Sequence, residues 1–320
     1  MVKMNELRDE LAGEVGTILA KEFAITVSTT NYVPNSSDGA ITFPNLDAST
    51  QACKLIETCV LYIDIRRSTQ LNLEHKPQTV AKLYSAFVRS MTKCARHYGG
   101  HVRGIIGDRV MVIFDKEDAY KNAVNTAILM HSTAKYVLNK HFSANEIECG
   151  IGIDAGRILA TKTGFRRRGV EQYNYKNLVW LGRPANVASK LTDLANKKAE
   201  TLTYPQLHSA FNAGGPSWTW LRVTPQQFLA GFDTVHYPAP SRLVPKDARW
   251  SSYLFSTESV DMKPATPPIL MTKLVYDRFK QACPDDSSIK NGWFKKIDRL
   301  TVTGYSGDVY GGDVIFSVFK

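Results

Sequence analysis

The sequence predicts an α+β fold in which helices cover one face of an antiparallel sheet, and three observations carry that expectation. Apolar extended runs and stretches of helical spacing follow one another as β-α-β-β-α-β between Thr58 and Gly156. A Gly107-Asp108 turn joins the two middle runs as a hairpin. Hydrophobic residues at 43% and charged residues at 22% are a globular balance, which argues against a disordered, collagenous or disulfide-scaffold chain.

Residues 1–54 form a leader, helix-like from Leu7 to Phe23 and then rich in Pro, Gly, Asn and Ser, which read as loop. From Thr58 to Ile65, TCVLYIDI is an apolar run holding one acid, the pattern of a buried central strand. Helix follows from Pro77 to Tyr98, where Val80, Leu83, Phe87, Met91, Cys94 and Tyr98 keep a three-or-four spacing and Gly99-Gly100 supplies the stop. HVRGII and RVMVIF then flank the hairpin turn. An alanine-rich helix from Asp118 to His141 precedes IECGIGIDAG, which alternates Ile147, Cys149, Ile151 and Ile153 on one strand face.

This order is the ferredoxin-like unit. RRRGVEQYNYKN is a polar, basic connection, NLVWLG a short strand, and Pro184 opens a helix to Asn196. The main domain is therefore placed at residues 55–200, followed by an α+β extension over 201–320. That extension holds WTWLRV, a Pro-rich stretch at 238–245, a helix from Leu270 to Ala282, and terminal strands in LTVTGY and DVIFSVF.

Forty Lys and Arg against 30 Asp and Glu leave a net charge of +10, which favours polyanionic ligands. Nucleic acid is a poor fit, because Arg166, Arg167 and Arg168 lack interleaved aromatics apart from Phe165 and read as a solvated loop. Five scattered cysteines with no C-x-x-C pair suggest neither a disulfide framework nor a zinc site. No apolar run reaches the ~18 residues of a membrane helix, and MVKMNELRDELAGEV carries acids where a signal peptide would be apolar. A cytoplasmic protein with no membrane segment is expected.

Asp64 and Asp108 are the candidate centre, since this element order brings the end of the first strand beside the hairpin tip. Each Asp alone reads first as a turn residue, and the pair in this element order favours a metal site. Facing each other, they would repel unless a divalent cation sat between them, and hard oxygen ligands suit Mg2+ or Mn2+. After Asp64, Arg66, Arg67, Ser68 and Thr69 offer cations, hydroxyls and backbone N–H groups to phosphates, or else form a solvated basic turn. Asn186 and Lys190, four apart on one helix, can reach a common ligand or simply face solvent.

YIDIRRST, GGHVRGIIGDRVMVIF, GIGIDAGRILA and LVWLGRPANVASKL, in this order and spacing, resemble the signature segments of class III nucleotidyl cyclases over about residues 55–200. The resemblance implies two divalent cations per site, Mn2+ or Mg2+, held by Asp64, Asp108 and the backbone carbonyl of Ile65. It also implies a homodimer with shared sites, in which Asn186 and Lys190 come from the opposite subunit. Family members usually carry Arg where this chain has Lys190, so a planar fork is replaced by a point charge. Purine-using members carry Lys at the position of Gly104 and a polar residue at that of Val179, and guanylate cyclases commonly carry Glu and Cys. Both readers are missing here.

A pyrimidine substrate is what remains, and the sequence is similar to the Pycsar-type pyrimidine cyclases of bacterial anti-phage defence. The activity this implies is conversion of UTP to 3′,5′-cyclic UMP and pyrophosphate, with the product acting on a cyclic-nucleotide-sensing effector. The alternatives are CTP as substrate, a non-catalytic nucleotide sensor, and a nucleic-acid-binding module. Tyr62 is the candidate base reader. It lies two residues before Asp64 on the same strand face, and its hydroxyl can address the carbonyl or imino edge of uracil; core packing is its other role.

Overall fold

A computed structural model describes residues 3–142, 147–167, 170–212, 215–236, 241–247 and 249–320, with no side chain described within 165–177, 202–206 and 250–263 or at 211. The chain forms two units, one of residues 1–197 with 266–320 and the other of residues 198–265. The division therefore differs from boundaries at 54 and 200, because the last 55 residues return to the first unit's sheet.

In chain order the first unit runs α1 (Met4–Leu19), β1 (Ala24–Thr30), β2 (Thr50–Ile65), α2 (Ser68–Glu74), α3 (Pro77–His97), β3 (Gly100–Ile106), β4 (Arg109–Phe114) and α4 (Ala119–Ser132). It continues with β5 (Cys149–Arg167), β6 (Val170–Leu181) and α5 (Arg183–Leu194). The second unit holds β7 (Glu200–Phe211), β8 (Thr219–Val223), α6 (Pro225–Ala230), β9 (Phe232–Val235), β10 (Arg242–Pro245) and β11 (Trp250–Lys263). The first unit resumes with β12 (Ile269–Thr272), α7 (Lys273–Ala282), a short helix α8 (Ser287–Lys290), β13 (Lys295–Lys296) and β14 (Val309–Gly312).

The large sheet has the order β13-β14-β12-β5-β2-β4-β3, with β1 parallel to the start of β2 and β6 antiparallel to β5. β2 lies at its centre: Val60 pairs with Asp154 on one side and Ile113 on the other. Leu61 and Ile63 face a core with Phe87 of α3 and Val124 of α4. That is the expected helix-covered face. The opposite face is covered as well, where Val60 and Ile113 pack with Ala185 and Ala188 of α5 and with Val33 and Ile41 of the leader. Gly152 permits this, since a Cβ there would collide with the Ala188 carbonyl of α5.

Several elements depart from their expected bounds. The leader contributes β1, and its helix stops at Leu19 rather than Phe23. β2 begins at Thr50, eight residues before Thr58, because its first half pairs with β1 and β5. Ile269–Thr272 is a buried strand parallel to β5, so the helix expected from Leu270 starts at Lys273. A four-residue apolar run has no period of its own, and the available sheet edge decides it. DVIFSVF carries no strand; the terminal strand is Val309–Gly312, and LTVTGY holds only the bridge between Val302 and Tyr305.

In the second unit, β7 pairs antiparallel with β8 and β11, and β9 with β10. Thr224 caps α6 through the Gln227 N–H, with the Gln227 side chain returning to the Thr224 N–H. Arg168 and the first part of the Pro-rich stretch, 238–240, lie outside the described residues. Among the described residues no helix is long and apolar enough to cross a membrane.

Candidate active site

β2 ends beside the β3–β4 turn, as antiparallel pairing of Ile63 with Val110 requires. There the Ile65 N–H donates to Asp108 Oδ2 at 3.1 Å. Burial, together with the hydrogen bond and repulsion from Asp64, raises the Asp108 carboxyl to about 6. Two neighbouring carboxylates with an adjoining backbone carbonyl make an all-oxygen donor set suited to Mg2+ or Mn2+. Among the described residues no three or more His, Cys, Asp and Glu side chains are grouped to hold a metal ion, so the donors here are two carboxylates and a backbone carbonyl.

Arg109, which sequence reasoning missed, supplies the positive charge at this pair. It donates to Asp64 Oδ2 through Nη2 at 2.7 Å and Nε at 3.3 Å, to Ser189 Oγ through Nη1 at 2.9 Å, and forms an ion pair with Asp193. Ser189 and Asp193, four apart on α5, were legible as a shared helix face; that it faces Arg109 depends on α5 packing against β2.

The phosphate cradle assigned to residues 66–69 is only partly free to form. Arg66 is buried and donates to the Thr192 carbonyl at 2.7 Å and the Asp193 carbonyl at 3.2 Å, capping the C-terminal end of α5. Gly150 leaves room for its guanidinium. In this structure Arg66 thus caps α5, and its guanidinium is turned to the helix carbonyls. Arg67 sits at a left-handed φ of 56° and pairs with Glu148 at 3.2 Å. Ser68 and Thr69 open α2 toward solvent.

Tyr62, Gly104 and Val179 line one open cavity of about 740 Å3 on the sheet face that carries Asp64. The Tyr62 hydroxyl donates to Met111 Sδ at 3.1 Å, a weak acceptor, and burial raises its pKa. Gly104 follows a bulge in β3, and a Cβ there would touch only Met111, at 3.4 Å or beyond. Packing does not demand glycine at this position; it leaves space in the cavity.

Asn186 is exposed and, among the described residues, has no side-chain hydrogen bond. Lys190 Nζ donates to the Thr303 carbonyl at 2.8 Å. Within the chain, neither is hydrogen-bonded to Asp64 or Asp108.

Residues 51–204 match the adenylate and guanylate cyclase catalytic domain family. Among curated proteins, the chain is 28% identical over 196 residues to a uridylate cyclase of Burkholderia cepacia, covering 60% of this chain and 79% of that one. A uridylate cyclase of Xanthomonas perforans is 32% identical over 47% of this chain and 62% of its own length. A cytidylate cyclase of Staphylococcus aureus is 36% identical over 31% of this chain and 25% of its own.

Proposed function

We propose that this chain, whose residues 51–204 match the adenylate and guanylate cyclase catalytic domain family, is a class III nucleotidyl cyclase that converts UTP to 3′,5′-cyclic UMP and pyrophosphate. The observation that carries the reading is the sharing of one strand face: Asp64 at the carboxylate pair lies two residues from Tyr62 in the cavity. A nucleotide laid along β2 would thus have its phosphates at one end and its base at the other.

Asp64, Asp108 and the Ile65 carbonyl are the groups that would hold two divalent cations, Mg2+ or Mn2+. When bound, such cations acidify a ribose 3′-hydroxyl and hold the triphosphate and departing pyrophosphate. Arg109 would release Asp64 and keep Ser189 and Asp193 as partners. In a homodimer with shared sites, Lys190 of one subunit leaves Thr303 and offsets charge growing at the α-phosphate, while Asn186 orients the ribose for in-line attack. A Lys does this as a point charge, without the bidentate grip of Arg. The Tyr62 hydroxyl, held by the Met111 thioether, turns to the uracil edge. The +10 net charge assists capture of the tetra-anionic substrate.

Similarity to a cytidylate cyclase keeps CTP as the second reading. In either case the cyclic pyrimidine nucleotide serves as a cytoplasmic messenger to a cyclic-nucleotide-sensing effector in anti-phage defence. The test is incubation with each of the four NTPs in Mn2+ or Mg2+, with products identified by mass spectrometry. Cyclic UMP from the wild type and none from Asp64→Ala is the expected result. Cyclic CMP alone would reject uracil, and no cyclic product from any NTP would reject the activity.

A further inference from the structure

We infer that residues 33–43 form a strap closing one wall of the base cavity, and that the Asn35 carboxamide donates a hydrogen bond to O4 of a uracil bound there. The inference rests on the pyrimidine reading above. It concerns a segment outside residues 51–204, so the part of the chain that matches the cyclase family does not contain it.

The strap is built into the sheet at both ends. Val33 and Ile41 are 7% and 1% exposed in the core on this face of the sheet. The Val33 N–H donates to Asp115 Oδ1 at 2.7 Å, and the Thr42 N–H donates to the Ala52 carbonyl at 3.0 Å. Between these ends, two cations of the cavity wall grip strap carbonyls: Arg103 Nε donates to Pro34 O at 2.8 Å and Lys162 Nζ to Asp38 O at 2.9 Å. The Asp38 carboxylate adds an ion pair with Lys54 at 2.7 Å. A segment tied at this many points presents its side chains to the cavity in a fixed geometry.

Asn35 lines that cavity together with Tyr62, Gly104 and Val179. Its Oδ1 accepts from the Ser37 N–H at 2.9 Å and from Ser37 Oγ at 2.6 Å, an Asx turn. A backbone N–H can only donate, so this turn assigns the oxygen and leaves Nδ2 as the outward group. Among the described residues Nδ2 has no acceptor. Each of the two cations nearby holds a strap carbonyl, and Asn35 Nδ2 is a neutral donor left free on the strap side of the cavity, with Trp180 Nε1, buried without a partner, on the strand side.

A pure donor distinguishes the two pyrimidines. Uracil presents the O4 carbonyl, an acceptor, where cytosine presents an amino group, a donor, and two donors facing each other lose the bond and its desolvation. Tyr62, reaching the cavity from β2, would address another part of the same edge.

The test measures binding without turnover. 3′-deoxy-UTP and 3′-deoxy-CTP lack the attacking hydroxyl, and their Kd values are measured by calorimetry in Mn2+ for the full-length wild type, Asn35→Ala, Asn35→Asp and Ser37→Ala. Asn35 is exposed, so these changes spare the core. Asn35→Ala should weaken the uridine analogue about five- to tenfold and leave the cytidine analogue within about twofold. Asn35→Asp keeps the turn but replaces donor by acceptor, and should shift preference toward the cytidine analogue. Ser37→Ala, a positioning change, should give an intermediate loss. A ratio unchanged in both Asn35 variants, or a wild type that does not prefer the uridine analogue, overturns the inference. An unchanged ratio in a protein that makes cyclic UMP removes the strap contact alone. A wild type that prefers 3′-deoxy-UTP but makes no cyclic product removes the activity while the contact stands.

Discussion

Asp108→Asn should abolish turnover in Mn2+ yet make the metal-free protein more heat-stable at about pH 7.5. Burial and the neighbouring Asp64 push the Asp108 carboxyl from 3.8 to about 6, so near neutrality the folded chain holds an ionised group that the unfolded chain would hydrate freely. A shift of about two units corresponds to about 3 kcal/mol. Asp108 is only partly buried, and solvent screening reduces this to about 1–2 kcal/mol. Between pH 3.8 and about 6 the folded state binds more protons than the unfolded one, so this penalty grows as pH rises through that window and is full above it. Asn retains an oxygen for the Ile65 N–H and removes the charge. For a unit of this size the gain is about 3–6 °C in Tm at about pH 7.5, and little at about pH 4. Calorimetry in EDTA at both pH values measures it. A Tm unchanged or lowered at the higher pH, or an equal gain at both, refutes the reasoning that burial and Asp64 disfavour the ionised Asp108 carboxyl.

Arg109→Gln should lower the metal-free Tm and enlarge the rise produced by Mn2+, because the side chain that now occupies Asp64 would no longer compete with the cation; equal Mn2+ increments in thermal shift would show no competition. Mixing Asp64→Ala subunits with Lys190→Ala subunits should restore part of the activity that each lacks alone, since a heterodimer regains one intact shared site. Verified heterodimers without product would rule out sharing. Tyr62→Phe should lower the UTP-over-CTP ratio of kcat/KM about fivefold with little change in Tm, because among the described residues the hydroxyl's only partner is Met111 Sδ. An unchanged ratio would return Tyr62 to a packing role.

The β-α-β-β-α-β order, the hairpin at Gly107-Asp108 and the helix Pro77–His97 were legible in the chain because local periodicity and turn chemistry decide them. The meeting of Asp64 with Asp108 was legible for the same reason: strand pairing across one hairpin leaves little freedom in where its tip lies. Ile269–Thr272 was not, since four apolar residues become strand or helix according to what sheet edge awaits them, and that edge, β5, is more than a hundred residues away. Arg66 and Arg109 show the same limit in the site. Both are arginines within two residues of an aspartate of the candidate site, yet one caps α5 from a buried position and the other pairs with Asp64. Nothing in their flanking residues separates these roles, because a guanidinium takes its meaning from the carbonyls and carboxylates that packing brings to it. The leader is the sharpest case. Its Pro, Gly and Asn residues correctly describe a loop, whereas its position as a wall of the cavity follows from Val33 and Ile41 finding the open face of the sheet, a choice made by tertiary burial alone.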